Sequence, residues 1–210
     1  MSRGPRLRPA APRRATRSTL FVAFATVLTT ACHRGPARCP AGVASTVEIR
    51  DGNGALLLAQ KGAQLCDGQL LVVGSVASAS DGTITLADAA GTPKLTLARE
   101  SDHVGQARSL VQGPSYRLFR DDKELRVLMP DGTPLGSIVP SGLGAATIYD
   151  PSQAPLGRVS TRDRDAVVTD LAGSVHTYVT PARDAIAAGV FAIPHLERFE
   201  QVAIYLYWSR

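Results

Sequence analysis

A short turn built on aspartate and glycine recurs between brief apolar runs, and this recurrence limits the fold more than any other feature of the sequence. Asp51-Gly52-Asn53-Gly54 separates the alternating run 46–50 from the run 55–59. Asp67-Gly68 precedes the near-continuous apolar run 69–76, and Asp81-Gly82 precedes 83–86. Asp88-Ala89-Ala90-Gly91 leads into 94–97. In the second half, runs at 116–120, 124–128, 135–139, 146–149, 156–159, 166–169 and 174–179 are joined through Asp121-Asp122-Lys123, Asp131-Gly132, Asp150 and Ala172-Gly173. Alternation with period two, broken by turn residues, marks strands joined as hairpins. About ten short strands connected so tightly make an antiparallel meander, and such sheets avoid exposed edges by closing into a barrel or packing as a sandwich.

The period changes after Pro181. Residues 182–193 are helical in pattern, with Thr180 as the expected cap and Pro181 at the first helical position. Pro194 interrupts, and Leu196, Phe199, Val202, Ala203, Leu206 and Tyr207 then fall at helical spacing. Arg183, Asp184, Glu197, Arg198 and Glu200 make these helices too polar to span a bilayer. They are expected to pack on or in the sheet. Helices lying on a membrane face are the alternative. The class is therefore mainly β, with one or two C-terminal helices.

Hairpins of the form strand, Asp-x-x-Gly, Leu-Gly-x-Val, followed by a strongly apolar C-terminal helix, resemble the LURP-one, tubby and scramblase group. The matching segments are 116–178 and 186–207. The resemblance implies a twelve-stranded barrel around a central C-terminal helix. It implies no ligand site, because no basic cluster equivalent to the tubby phosphoinositide site is present.

The N-terminus is of another kind. Arg3, Arg6, Arg8, Arg13, Arg14 and Arg17 are followed by the apolar run 20–28 and the small residues Thr29, Thr30 and Ala31. That order is the layout of a secretory signal peptide. Ending on Leu28-Thr29-Thr30-Ala31-Cys32, it resembles the signal of a bacterial lipoprotein, with Leu28 one place earlier than usual. The resemblance implies cleavage before Cys32, lipid on Cys32, and export to the cell envelope. His33 stands where an aspartate would favour retention in the inner membrane, so the outer membrane is favoured. The expected organisation is a signal peptide at 1–31, a lipidated cysteine and tether at 32–45, a β-rich domain at 46–180 and a helical segment at 181–210.

Charge follows from that division. The whole chain carries a formal +5, but six of its 23 basic residues and none of its 18 acids precede Cys32. The remainder has 17 bases against 18 acids, net about −1, which argues against a nucleic-acid partner. Of three cysteines, lipidation uses Cys32 and leaves Cys39 and Cys66. A disulfide between them, favoured in an oxidising compartment, would stabilise by ~3 kcal/mol on a chain-entropy argument; two unpaired thiols are the other reading.

Catalytic motifs are not evident. There is no Gly-x-Ser-x-Gly elbow, His-Glu-x-x-His or Walker loop. Asp51-x-Asn53 resembles the start of a calcium loop but has no downstream bidentate glutamate, so a turn is expected and no metal or cofactor. Asp102 and His103 could begin a dyad. In Arg162-Asp163-Arg164-Asp165 an extended backbone would set both acids on one side. A pocket uniting Asp102, His103, Asp163 and Asp165 would indicate a hydrolase. An open apolar cavity would indicate a lipid carrier. Without either, the expectation is a non-enzymatic binding or structural module, attached to the membrane through Cys32 and possessing an envelope protein partner.

Overall fold

The computed structural model describes residues 36–110 and 115–209. The signal-like segment, Cys32 and His33 lie outside the described residues. The first half of the barrel unit supplies β1 (Val47–Asp51), β2 (Leu56–Lys61), β3 (Gln64–Asp67), β4 (Val72–Ser78), β5 (Ile84–Asp88), β6 (Pro93–Arg99) and β7 (Val104–Ser109). The second supplies β8 (Tyr116–Arg120), β9 (Leu125–Leu128), β10 (Pro134–Gly142), β11 (Ala145–Tyr149), β12 (Pro155–Arg162), β13 (Asp165–Asp170) and β14 (Val175–Thr180). Each strand pairs antiparallel with its sequence neighbour, and β1 closes the ring on β14 with Ile49 opposite Val179. The sheet is a closed up-and-down barrel, so the sandwich alternative falls and no strand edge is left open.

Fourteen strands stand where about ten were expected. The additional ones include β3 and β7, whose sequences QLCD and VGQARS carry few large apolar residues. Their pairing is held by the ladder, not announced by hydropathy. At Gly105 in β7 a Cβ would lie 3.1 Å from the Tyr207 ring, so this strand stays small because an aromatic side chain packs against it.

Seven of the connections are one device. A five-residue loop closes with the first N–H donating to the fifth carbonyl, and its fourth residue takes a left-handed backbone: Gly54, Leu70, Gly82, Gly91, Gly132, Gln153 and Gly173. In the first turn Asp51 Oδ1 accepts from the N–H groups of Asn53 and Ala55, both at 2.9 Å. Asp67, Asp88 and Asp150 accept in the same two places. The aspartate side chain satisfies donors that the tight turn leaves over, which is why the motif recurs. It also accounts for Asp51-x-Asn53, which is a turn.

Because the barrel is a pure meander, all odd-to-even connections lie at one end, here the lower rim, and all even-to-odd ones at the other, the upper rim. Six of the seven aspartate–glycine type loops are on the lower rim; the β4–β5 loop at residues 79–83 is on the upper.

The lumen is filled by the C-terminal segment. It leaves β14 at the upper rim, descends through α1 (Ala185–Ala188) and a 3-10 turn (Gly189–Ala192), bends at Pro194-His195, and returns as α2 (Arg198–Trp208). Seven consecutive α2 residues, Glu200 to Leu206, are buried, which covers every face of the helix. A helix apolar all round belongs in a core. Its neighbours lie on opposite walls: Phe199 meets Gly74 of β4, while Gly189 meets Ile138 of β10. Tyr205 donates to the Pro181 carbonyl at 2.9 Å. At the upper rim Arg120 bonds both ends of this hairpin, the Asp184 carboxylate and the Trp208 carbonyl.

Two local expectations are corrected. Thr180 does not cap α1: its peptide bond to Pro181 is cis, its hydroxyl donates to Asp165, and Asp184 caps the helix by accepting from Ile186 and Ala187 N–H. Four residues of turn are needed to redirect the chain from the wall into the lumen before a helix can start. Residues 162–165 are not extended. Arg162 pairs with Asp165 across a tight β12–β13 turn in which Asp163 has φ +53°, so the two acids do not line one side of a strand.

Candidate functional site

The lower rim holds the elbow of the C-terminal hairpin and the ring of aspartate turns. Beside the elbow is an open depression of ≈ 450 Å³. Its floor is apolar, with Phe191 and Ile193, and its polar side chains include His176, His195, Arg198 and Gln201. His176 lies 3.9 Å from Asp170. His195 sits at φ +71°, the backbone strain of the reversal that sends the chain back into the lumen.

Below the depression, Tyr116 donates to Glu200 at 3.0 Å, and the same carboxylate accepts from the Glu197 N–H at 2.8 Å. Burial pushes the Glu200 carboxyl above the usual carboxylate range, against these hydrogen bonds. Burial, with the neighbouring Glu200, also raises the Tyr116 phenol, so it remains a donor. This is a closed structural network. It satisfies a helix N-terminus and keeps the Glu200 carboxyl away from solvent.

The turn aspartates behave oppositely. The Thr92 N–H and then Lys94 lower the Asp88 carboxyl; Thr133 N–H lowers Asp131; the Ser152 hydroxyl and then Ala154 N–H lower Asp150; Ser174 N–H lowers Asp170. These carboxylates stay charged around the rim.

Among the described residues five large apolar side chains are exposed: Val43, Leu70, Leu110, Leu143 and Leu171. Leu70, Leu110 and Leu171 belong to the β3–β4, β7–β8 and β13–β14 connections, all on the lower rim. Leu143 is at the tip of the β10–β11 turn, on the upper rim. Leu70 also adopts φ +60°, in the position that Gly54, Gly91, Gly132 and Gly173 hold elsewhere.

The N-terminal approach meets the barrel at the same lower rim. Val72 N–H donates to the Ala37 carbonyl and Cys39 N–H to the Leu70 carbonyl, both at 2.8 Å. Cys39 is disulfide-bonded to Cys66, with Cα atoms 6.1 Å apart. Cys66 and its cross-strand partner Ala59 lie on the opposite pleat face from Leu58 and Leu65, yet both are fully buried.

The candidate acids and base are not assembled into one centre. Asp102 and His103 lie in the β6–β7 loop, where Asp102 faces Arg99 at 3.5 Å and His103 Nδ1 is 3.1 Å from the Arg120 carbonyl. Asp163 and Asp165 are at the β12–β13 turn, six strands further round the same rim. Those two line a shallow depression with Glu48, Arg164 and Thr180. Among the described residues no group of three His, Cys, Asp or Glu side chains is placed to hold a metal ion. No described helix is long and apolar enough to cross a membrane.

Sequence reasoning missed the exposed leucines. One signal was available for Leu70: the loop Asp67-Gly68-Gln69-Leu70 has leucine at a position where its sister turns have glycine. Fold and site together define a fourteen-stranded antiparallel barrel plugged by its own C-terminal hairpin, with a disulfide-fixed N-terminal approach at one rim. No protein-family model, curated protein or solved structure matches the chain.

Proposed function

We propose that the protein is a lipid-anchored component of the bacterial cell envelope, in which the barrel serves as a non-enzymatic binding or structural module. The observation that carries the reading is the Cys39–Cys66 disulfide. It takes two of the three cysteines and leaves Cys32, at the end of a signal-like segment, as the third. A disulfide in a chain of this size belongs with an oxidising compartment. Several acyl chains on Cys32, each contributing ~0.8 kcal/mol per buried methylene, hold a protein stably where one would not. The outer membrane and an envelope protein partner are part of this proposal.

Against the carrier alternative, the lumen is occupied by Val202, Ala203, Ile204 and Tyr205, each at most 1% exposed, and a cargo would have to displace them. Against the hydrolase alternative, Asp102 and His103 stand apart from Asp163 and Asp165; Asp102 is engaged by Arg99, His103 by the Arg120 carbonyl and Asp165 by the Thr180 hydroxyl. A barrel closed around its C-terminal helix supports the likeness to the LURP-one, tubby and scramblase group, with fourteen strands in place of twelve.

Intact mass of the protein purified from its native membrane, before and after reduction, tests the reading. The expected species begins at Cys32, carries a diacylglyceryl and acyl increment, and gains two hydrogens on reduction. An unmodified chain beginning elsewhere sinks the anchor.

A further inference from the structure

We infer that the lower rim is a membrane-docking surface, on which the barrel stands against a zwitterionic lipid bilayer through Leu70, Leu110 and Leu171. The inference rests on the anchored reading above and adds an orientation and a contact to it.

The place where the described chain begins supplies the first argument. Ala37 and Cys39 are bonded to Val72 and Leu70 at the lower rim, and the disulfide to Cys66 fixes that attachment. Six residue-to-residue steps separate Cys32 from Arg38. Fully extended they reach about 20 Å, at 3.3–3.6 Å per residue. A lipid on Cys32 therefore tethers the barrel by this rim, within about 20 Å of the bilayer surface.

The second argument is what the rim presents. Leu70, Leu110 and Leu171 are 45%, 47% and 58% exposed. Going round the ring they are four, six and four strands apart. Scattered single leucines are ordinary on a protein surface. Three at one rim, on two turns and at one strand end, are different, because a bilayer is an apolar acceptor wide enough to meet all of them at once. Leu143, the most exposed of the large apolar residues described, stands on the opposite rim.

The third argument is Leu70 itself. It holds φ +60°, where a glycine would be unstrained. A leucine kept in a left-handed turn and left exposed is explained by a contact made outside the barrel.

Charge selects the kind of surface. Asp51, Asp67, Asp88, Asp131, Asp150, Asp170 and Glu197 lie at the lower rim and outnumber the cations there, Arg38, Arg50, Lys94 (paired with Asp88 at 3.0 Å), Arg108 and Arg198, so a small excess of carboxylate faces the headgroup layer. Like charges oppose contact with an anionic layer and do not oppose a zwitterionic one.

The test uses full-length protein, processed by its host and purified from membrane, in phosphatidylcholine vesicles with brominated acyl chains. Two variants are compared, Leu171→Trp on the lower rim and Leu143→Trp on the upper, with Trp208 as common background. The expected result is strong quenching of the fluorescence added by Leu171→Trp and little at Leu143→Trp. Adding Leu70→Gly and Leu110→Ser to the first variant should cut its quenching several-fold, and replacing much of the phosphatidylcholine by phosphatidylglycerol should cut it too. Equal quenching at the two rims, or stronger quenching at Leu143→Trp, overturns the docking inference while flotation of the protein with the vesicles keeps the anchor. Protein that does not float overturns the anchored reading, and this inference with it.

Discussion

Among single residues, the conflict between backbone and side chain is sharpest at Leu70. Six sister loops place glycine or, once, Gln153 at the equivalent position. A left-handed backbone costs a non-glycine residue about 1–2 kcal/mol. Leu70→Gly relieves that cost, and it loses little packing because the side chain is half exposed. The variant should unfold at higher denaturant, by about 1 kcal/mol in chemical unfolding followed by far-ultraviolet circular dichroism. A gain in stability beside a loss of membrane contact would separate the two roles of one residue. A loss of stability would mean the leucine packs more than its exposure indicates.

At the level of elements, the strands are matched to the hairpin they enclose. Gly74 in β4 leaves room for the Phe199 ring: a Cβ there would stand 2.6 Å from the ring and 2.5 Å from the Ala87 carbonyl oxygen. Neither neighbour has space to yield, since one is backbone and the other is wedged between helix and wall. Gly74→Ala is therefore expected to destabilise by about 1–3 kcal/mol, read by thermal or chemical unfolding. The same matching explains what was legible in the sequence. Large alternating runs such as residues 135–139 and 166–169 announce their strands, and aspartate turns announce the ends. β3 and β7 do not: β3 is four residues long with one large inward side chain, Leu65, and β7 turns small Gly105 toward the Tyr207 ring. The C-terminal pattern shows a helical period but not where the helix begins: Thr180 looks like a cap, and the tertiary need to turn inward moves that role to Asp184. The exposed leucines on the rim were illegible for a different reason. Which turns share an end depends on counting every strand, and uncounted strands such as β3 and β7 change that count.

For the molecule as a whole, pH acts through two sets of carboxyls with opposite signs. Asp81, Asp88, Asp121, Asp131, Asp150 and Asp170 are held below their ordinary value by turn hydrogen bonds. What they contribute is present above the unfolded value of ~4 and is lost as pH falls through the lower folded values. Glu200 is held above its ordinary value by burial. Its contribution is present below the unfolded value of ~4.3 and is lost as pH rises through the folded one. Stability should therefore decline as Glu200 ionises and decline again in strong acid. Glu200→Gln keeps an acceptor for Tyr116 and Glu197 N–H without the charge. It should flatten the higher-pH decline and leave the acid one, as measured by chemical unfolding across a pH series. An unchanged profile would show that Glu200 does not titrate differently in the folded barrel.

The hairpin that fills the lumen has a consequence for how the molecule comes into being. Every strand precedes it in the chain, so during synthesis the walls are made before the contents. Neighbouring strands can pair as they emerge, but the apolar faces of β4 to β8 and β10 to β13 have no partner until residues 185–208 arrive. The meander can pair strand to strand, and set β1 against β14, before α2 is available, but its inner face is filled only when that helix is in place. Until its last thirty or so residues are available, the polypeptide is exposed to aggregation through that unfilled inner face.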